Sequence, residues 1–308
     1  MKVAVVGAGG VGSLFGGRLA AAGHTVWLIH RRREVVEALR RDGLRLDSRG
    51  GSEQIRLLAT DRPSEVGPVD LVLVLTKAQD TPSAAAAARP LLGPATRVVT
   101  LQNGLGNLET LADVLGAERV LMGMTYAGAA LVEPGYARHT AVGQTFLGEP
   151  SGARSARVVR LAEAFTAAGL PTEATDHLWD MVWGKLLINA ALNATCALSG
   201  ASGADALASP AARAWIGLVA EETAAVAAAQ SVHLPYPDAT ARVLRHCHDV
   251  GPAKPSMLQD MERGRPTEIE AINGAVVRLG ERLGVPTPYN RALLLLVRAR
   301  EQVSRSRA

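Results

Sequence analysis

The first thirty residues constrain this chain more than any other stretch. Val3 to Val6 is a short, unbroken apolar run, the pattern of a strand buried on both faces of a parallel sheet. Gly7-Ala8-Gly9-Gly10-Val11-Gly12 follows, then a helical pattern from Ser13 to Ala22, Gly23 as a helix stop, and a second strand from Thr25 to Ile29. A lone G-x-G-x-x-G turn says little. Here it leaves a strand and opens a helix inside a βαβ unit of about 30 residues, the context the motif requires. Gly7, Gly9 and Gly12 permit a tight turn and close approach of backbone to a pyrophosphate, and the helix start offers unpaired N–H groups and a positive dipole end. The bland alternative is a tight turn that holds no nucleotide.

Further along, the apolar runs Asp70 to Thr76, Arg97 to Gln102, Val120 to Thr125 and Gln144 to Leu147 continue the sheet. Leu44 to Asp47 and Gln54 to Leu58 read as a hairpin insertion around Ser48-Arg49-Gly50-Gly51-Ser52, and Tyr126 to Val142 as glycine-rich and irregular. From about His177 strand signals fade and alanine-rich helical patterns take over, at 177–198, 210–231, 236–248, 267–284 and 289–304. The expectation is an α/β fold: a Rossmann-type dinucleotide-binding domain over residues 1–175, then an all-helical domain over 176–308.

The end of the second strand bears on which dinucleotide. Ile29-His30-Arg31-Arg32-Arg33 carries no acid until Glu34, and NAD sites place Asp or Glu here for the ribose 2′-hydroxyl. Guanidinium groups suit a 2′-phosphate, so NADP(H) is expected as the cofactor. Three solvated arginines are the alternative, although cations oppose the dipole at a helix start. Lys77 and Asn103, just past two strands, are placed toward the cofactor because ligands sit beyond the carboxyl ends of parallel strands. Either also fits an ordinary turn.

In the helical half, Lys185, Asn189 and Asn193 recur at i, i+4 and i+8 on the segment Trp183 to Asn193, within an arc of about 80°. A cation and two amides on one stripe of an apolar helix call for a polar ligand, or for core partners that satisfy them. Only four of the 33 Lys plus Arg residues are lysines, namely Lys2, Lys77, Lys185 and Lys254. A lysine kept among arginines suits a site that wants a compact ammonium with an adjustable pKa.

The net charge of +4 is mild and scattered, and aromatics make up 4% of the chain. Neither feature argues for nucleic acid, while an anionic small molecule fits. Cys196 and Cys247 lie far apart with no CxxC, which points to a reducing cytoplasm. Neither a signal peptide nor a membrane-spanning apolar run is expected, and a homodimer is left open. His246-Cys247-His248 does not make a metal site, since i and i+2 do not share a helix face; no metal is expected.

Thr267 reads as the N-cap of a helix, with Glu268 at its first position and Glu270 completing a capping box. Together with Ser256-Met257-Leu258-Gln259-Asp260, this polar stretch extends a longer pattern. The glycine turn, Arg31, Lys77-Ala78, Gln102-Asn103-Gly104, Lys185-Leu186-Leu187-x-Asn189-x-x-x-Asn193, Ser256-Met257-x-Gln259-Asp260 and Thr267-Glu268-Ile269-x-x-Ile272-Asn273-Gly274 resemble the ketopantoate reductase family over essentially the whole chain. The resemblance implies that Lys185 is the general acid and that Glu268 binds the substrate hydroxyl and is needed for catalysis. It implies that Asn189, Asn193 and Ser256 bind substrate and that Asn103 lies near nicotinamide and substrate. It also implies a 2′-phosphate contact at Arg31, a cofactor contact at Lys77, and cofactor contacts for Asn103 and Glu268. The chain departs from the pattern in its Arg31-Arg32-Arg33 cluster, which leaves open the arginine that grips the phosphate. Residues 194–200 match loosely. The activity implied is NADPH-dependent reduction of ketopantoate to pantoate, a precursor of pantothenate and coenzyme A. Reduction of another 2-oxo acid and a non-catalytic NADPH-binding regulator are the alternatives.

Overall fold

A computed structural model describes residues 1–306. The chain forms two compact units, one of Met1–Gln102 and Asn107–Leu178, the other of Asn103–Gly106 and Trp179–Ala308.

The first unit runs β1 (Lys2–Val6), α1 (Gly10–Ala21), β2 (Thr25–Ile29), α2 (Arg33–Asp42), β3 (Leu44–Ser48), β4 (Gly51–Ile55), β5 (Leu58–Thr60), β6 (Leu71–Val74), α3 (Thr81–Ala88), β7 (Arg97–Thr100), α4 (Asn107–Leu115), β8 (Val120–Thr125), β9 (Gly128–Glu133), β10 (Tyr136–Ala141), β11 (Thr145–Gly148), α5 (Ala156–Ala167) and β12 (Thr172–Ala174). Eight strands form the main sheet in the order β12-β11-β8-β7-β6-β1-β2-β5. Only the β8–β11 pairing is antiparallel. Val3, Ala4 and Val5 of β1 and all of β6 are buried, as strands covered on both faces must be. Because β7, β6, β1 and β2 run the same way, their carboxyl ends share one edge of the sheet, and the glycine turn, Arg31, Lys77 and Gln102 all emerge there.

A second sheet, β4-β3-β10-β9, covers the outer side of α1. This explains why α1 lacks a polar face. Leu14, Phe15 and Leu19 are fully buried, and Phe15 meets Phe165 of α5 edge to face at 5.8 Å. A Cβ at Gly16 would stand 2.5 Å from Leu28, and one at Gly17 2.7 Å from Leu44, so the two glycines let the helix lie between the sheets. The stretch Tyr126 to Val142, expected to be irregular, contains β9 and β10. Their antiparallel pairing shifts register at Tyr136/Ala137 and at His139/Ala141, and these bulges break the alternation that marks a strand.

The second unit is helical: α6 (Leu178–Ser199), α7 (Gly203–Ala208), α8 (Pro210–Ala229), α9 (Ala239–Val250), α10 (Ser256–Glu262), α11 (Asn273–Leu283) and α12 (Pro288–Ser306). By length and composition α6 could cross a membrane, with a mean hydropathy of 1.3, yet 78% of that window is buried, as in a core helix. A buried polar chain positions α6. Asn273 donates to the Ala190 carbonyl and to Asn290, each at 3.0 Å, and Asn290 donates to Glu222 at 2.9 Å. Glu222 also accepts the Tyr289 and Asn290 amides at 2.8 and 2.9 Å, capping the start of α12 from α8. Thr267 does not cap α11, which begins at Asn273 after the turn that Ala271 and Ile272 close onto the Glu268 carbonyl. Glu270 is held instead by Arg298 of α12, at 2.7 Å, so the expected capping box does not form.

Candidate active site

In the first unit, the glycine turn is shaped by backbone. The Gly7 and Ala8 amides donate to the Ile29 carbonyl at 3.0 and 3.3 Å, which ties the turn to the end of β2. Gly7 has φ +104°, and a Cβ there would lie 2.7 Å from the Thr76 amide nitrogen. A Cβ on Gly12 would lie 1.9 Å from the Gly7 carbonyl oxygen, whereas one on Gly9 would meet nothing within 4 Å. Gly7 and Gly12 are thus needed for packing, and Gly9 borders the open space that a phosphate group would enter. No side chain caps α1, so its first amides face that space. These residues fit a dinucleotide pyrophosphate.

At the neighbouring strand ends, Gln102 ties β7 to β6. Its side-chain amide nitrogen, Nε2, donates to the Thr76 carbonyl at 3.1 Å and to the Thr81 hydroxyl at 2.9 Å, while its oxygen accepts from the Thr100 hydroxyl at 2.9 Å. Lys77 is half-buried and extended at the end of this tether. His30 is half-buried and accepts the Arg32 amide at 3.1 Å. Burial, then the Arg32 charge, lowers its pKa, so the cations at the end of β2 are the arginines. Each is matched by an acid: Arg31 by Asp80 at 3.1 Å, Arg32 by Glu34 at 3.5 Å and Arg33 by Glu37 at 2.8 Å.

In the second unit, the Leu105 amide donates to the Ala271 carbonyl at 2.9 Å. Gly104 has φ +80°, and a Cβ on it would stand 2.3 Å from the same carbonyl oxygen. Only glycine permits this approach. It aligns Asn103, whose amide donates to the Glu268 carboxylate at 3.1 Å. Glu268 is 5% exposed. Lys185 is half-buried on α6, and burial lowers its pKa to about 8 against the opposing pull of the Glu268 carboxylate. Asn103, Glu268 and Lys185 therefore form one group. Asn189 and Asn193 follow Lys185 along α6, half-buried and buried, with no side-chain hydrogen bond among the described residues. Ser256 is exposed at the start of α10.

A half-buried lysine with a lowered pKa beside a buried carboxylate is a proton-donating arrangement. Models of two regions of one family match this chain, Ketopantoate reductase PanE/ApbA over residues 3–152 and its C-terminal counterpart over residues 177–301. The chain belongs to the ketopantoate reductase family. It is 36% identical to a 2-dehydropantoate 2-reductase of Mesorhizobium japonicum, covering 97% of each chain. Among solved structures, a PanE/ApbA family ketopantoate reductase from Ralstonia eutropha is 38% identical with a TM-score of 0.91, covering 99% of this chain and 100% of that one. A D-mandelate dehydrogenase, solved with NADH and anilino(oxo)acetate, is 30% identical with a TM-score of 0.92 over the same shares. The protein is thus an oxidoreductase of the ketopantoate reductase family.

Sequence reasoning did not place Tyr236, Arg242 and His246 near Lys185. A Cβ on Gly184 would come within 2.3 Å of the Tyr236 hydroxyl, so the glycine before Lys185 makes room for that tyrosine. Arg242 lies over the Tyr236 ring at 5.5 Å. One turn further along α9, burial, then Arg242, and more weakly Lys185, lower the pKa of His246. The signal was present as Arg242 and His246 at i and i+4, one face of a helix.

Proposed function

We propose that this protein is an NADPH-dependent 2-oxo acid reductase whose substrate is ketopantoate and whose product is pantoate, in pantothenate and coenzyme A synthesis. The supporting observation is the group of Lys185, Glu268 and Asn103, with the lysine ammonium desolvated beside a buried carboxylate. We assign the dinucleotide to residues 1–175, and substrate binding and catalysis to residues 176–308 together with Asn103.

NADPH held there would supply the hydride that reduces the ketone carbon. As negative charge grows on the carbonyl oxygen, Lys185 Nζ donates a hydrogen bond to that oxygen and then its proton, joining electrostatic stabilisation to general acid catalysis. Glu268 favours the charged form of Lys185 and accepts the substrate hydroxyl, while the Asn103 amide fixes the carboxylate's orientation. Asn189, Asn193 and Ser256 supply donors for the substrate carboxylate and its pose. Gly7, Gly9 and Gly12 would hold the pyrophosphate, Arg31 the 2′-phosphate and Lys77 a further cofactor group, and Asn103 and Glu268 would add cofactor contacts.

The likeness to a D-mandelate dehydrogenase favours a second reading, reduction of a different 2-oxo acid with NADH or NADPH. Following the absorbance of each reduced nicotinamide with ketopantoate, 2-oxoisovalerate and an aryl 2-oxo acid separates the readings, since hydride transfer consumes the reduced ring. The highest kcat/KM is expected for ketopantoate with NADPH. No consumption with any of these acids would overturn the proposed reaction class.

A further inference from the structure

The three arginines at the end of β2 are not equivalent. Glu34 and Glu37, the partners of Arg32 and Arg33, stand on α2 beside them. Arg31 is held by an acid from another element. Asp80 lies 49 residues away, after β6, and its carboxylate meets the Arg31 guanidinium at 3.1 Å. In the sheet β1 lies between β2 and β6, so this pair spans the carboxyl end of β1, where the glycine turn begins.

Asp80 also occupies the N-cap position of α3, where an aspartate usually accepts a backbone amide of the first turn. It makes no such bond. Its carboxylate is turned to Arg31, which is 78% exposed against 30% for Asp80. An aspartate drawn from its local role toward an exposed arginine puts both kinds of ribose-recognition group at one place. In doubly wound folds an acid at this strand end accepts the 2′-hydroxyl of NAD, and an arginine takes the 2′-phosphate of NADP.

We propose that Asp80 sets the cofactor preference. With a 2′-hydroxyl, the carboxylate accepts the hydroxyl while its pairing with Arg31 persists. A 2′-phosphate must draw Arg31 away from Asp80, and leaves the carboxylate facing a second anion. The chain would therefore accept both dinucleotides, with Asp80 narrowing the margin that Arg31 gives NADP(H). This rests on the dinucleotide assignment and refines its NADPH component.

Calorimetric dissociation constants for NADP+ and NAD+, measured without substrate, test the proposal on the wild type, Asp80→Asn, Asp80→Ala and Arg31→Ala. Asp80→Asn should tighten NADP+ by about tenfold while changing NAD+ less than about threefold. Asp80→Ala should tighten NADP+ similarly and weaken NAD+ by about fivefold. Arg31→Ala should weaken NADP+ by about tenfold or more and leave NAD+ nearly unchanged. An NADP+/NAD+ ratio unaltered in both Asp80 variants, with Arg31→Ala behaving as expected, would overturn the role of Asp80 alone. Failure of the wild type to bind either dinucleotide would overturn the cofactor assignment and this proposal together.

Discussion

Glu268→Gln keeps the size of the side chain and an acceptor for the Asn103 amide while removing the negative charge beside Lys185. In the native protein burial lowers Lys185 from 10.5 to about 8, and the Glu268 carboxylate resists that fall. Without the carboxylate the lysine should titrate about one unit lower, the small end of what a neighbouring opposite charge does. At pH 8 the protonated fraction then drops from about one half to about one tenth, a loss of about fivefold in available acid, whereas at pH 6 it stays at about nine tenths or more in both proteins. The assay is kcat/KM for 2-oxo acid reduction from about pH 5.5 to pH 9.5, which reports the free enzyme's ionisations. Because Glu268 is also proposed to hold substrate, the whole profile should fall. The informative quantity is the position of its alkaline limb, expected near pH 8 in the wild type and near pH 7 in the variant. A limb that stays at pH 8 or moves upward would refute the coupling. The same shift has a consequence for stability. The folded pKa lies below the unfolded one, so the lysine's unfavourable contribution is full below pH 8 and is relieved as pH rises toward 10.5.

Lys185→Ala should lower turnover by about 100-fold or more with the fold intact, measured by steady-state kinetics and circular dichroism. Gly9→Ala should leave the melting temperature nearly unchanged but weaken dinucleotide binding, because the added methyl enters open space. Gly12→Ala should cost about 2 kcal/mol or more in denaturant unfolding, because its Cβ would lie 1.9 Å from the Gly7 carbonyl oxygen. Gly104→Ala should destabilise by a similar amount, about 2 kcal/mol, and lower activity as well, since the turn that aligns Asn103 with Glu268 must shift. Glu222→Ala should cost about 3 kcal/mol by leaving the Tyr289 and Asn290 amides and the Asn290 side chain without their shared acceptor; unchanged unfolding would remove that carboxylate as the anchor of α12.

Features carried by neighbouring residues were legible in the sequence. The strand–glycine turn–helix start needs only steric allowance at Gly7 and Gly12 and an apolar run before them. The Lys185, Asn189 and Asn193 stripe follows from the helical period alone. Where short-range patterns were broken, reading failed: bulges hid β9 and β10, and the Thr267-x-x-Glu270 spacing mimicked a cap whose acid is taken by Arg298. What tertiary structure decided are the pairings of residues far apart in the chain. Asn103 reaches Glu268 across 165 residues, because Gly104 lets a backbone carbonyl approach. The Lys185 pKa depends on the protein packed around its ammonium, and Asp80 meets Arg31 only because β1 is flanked by β2 and β6. Local sequence sets backbone preference within a few residues. The charge and exposure of a side chain depend on neighbours that the completed fold supplies.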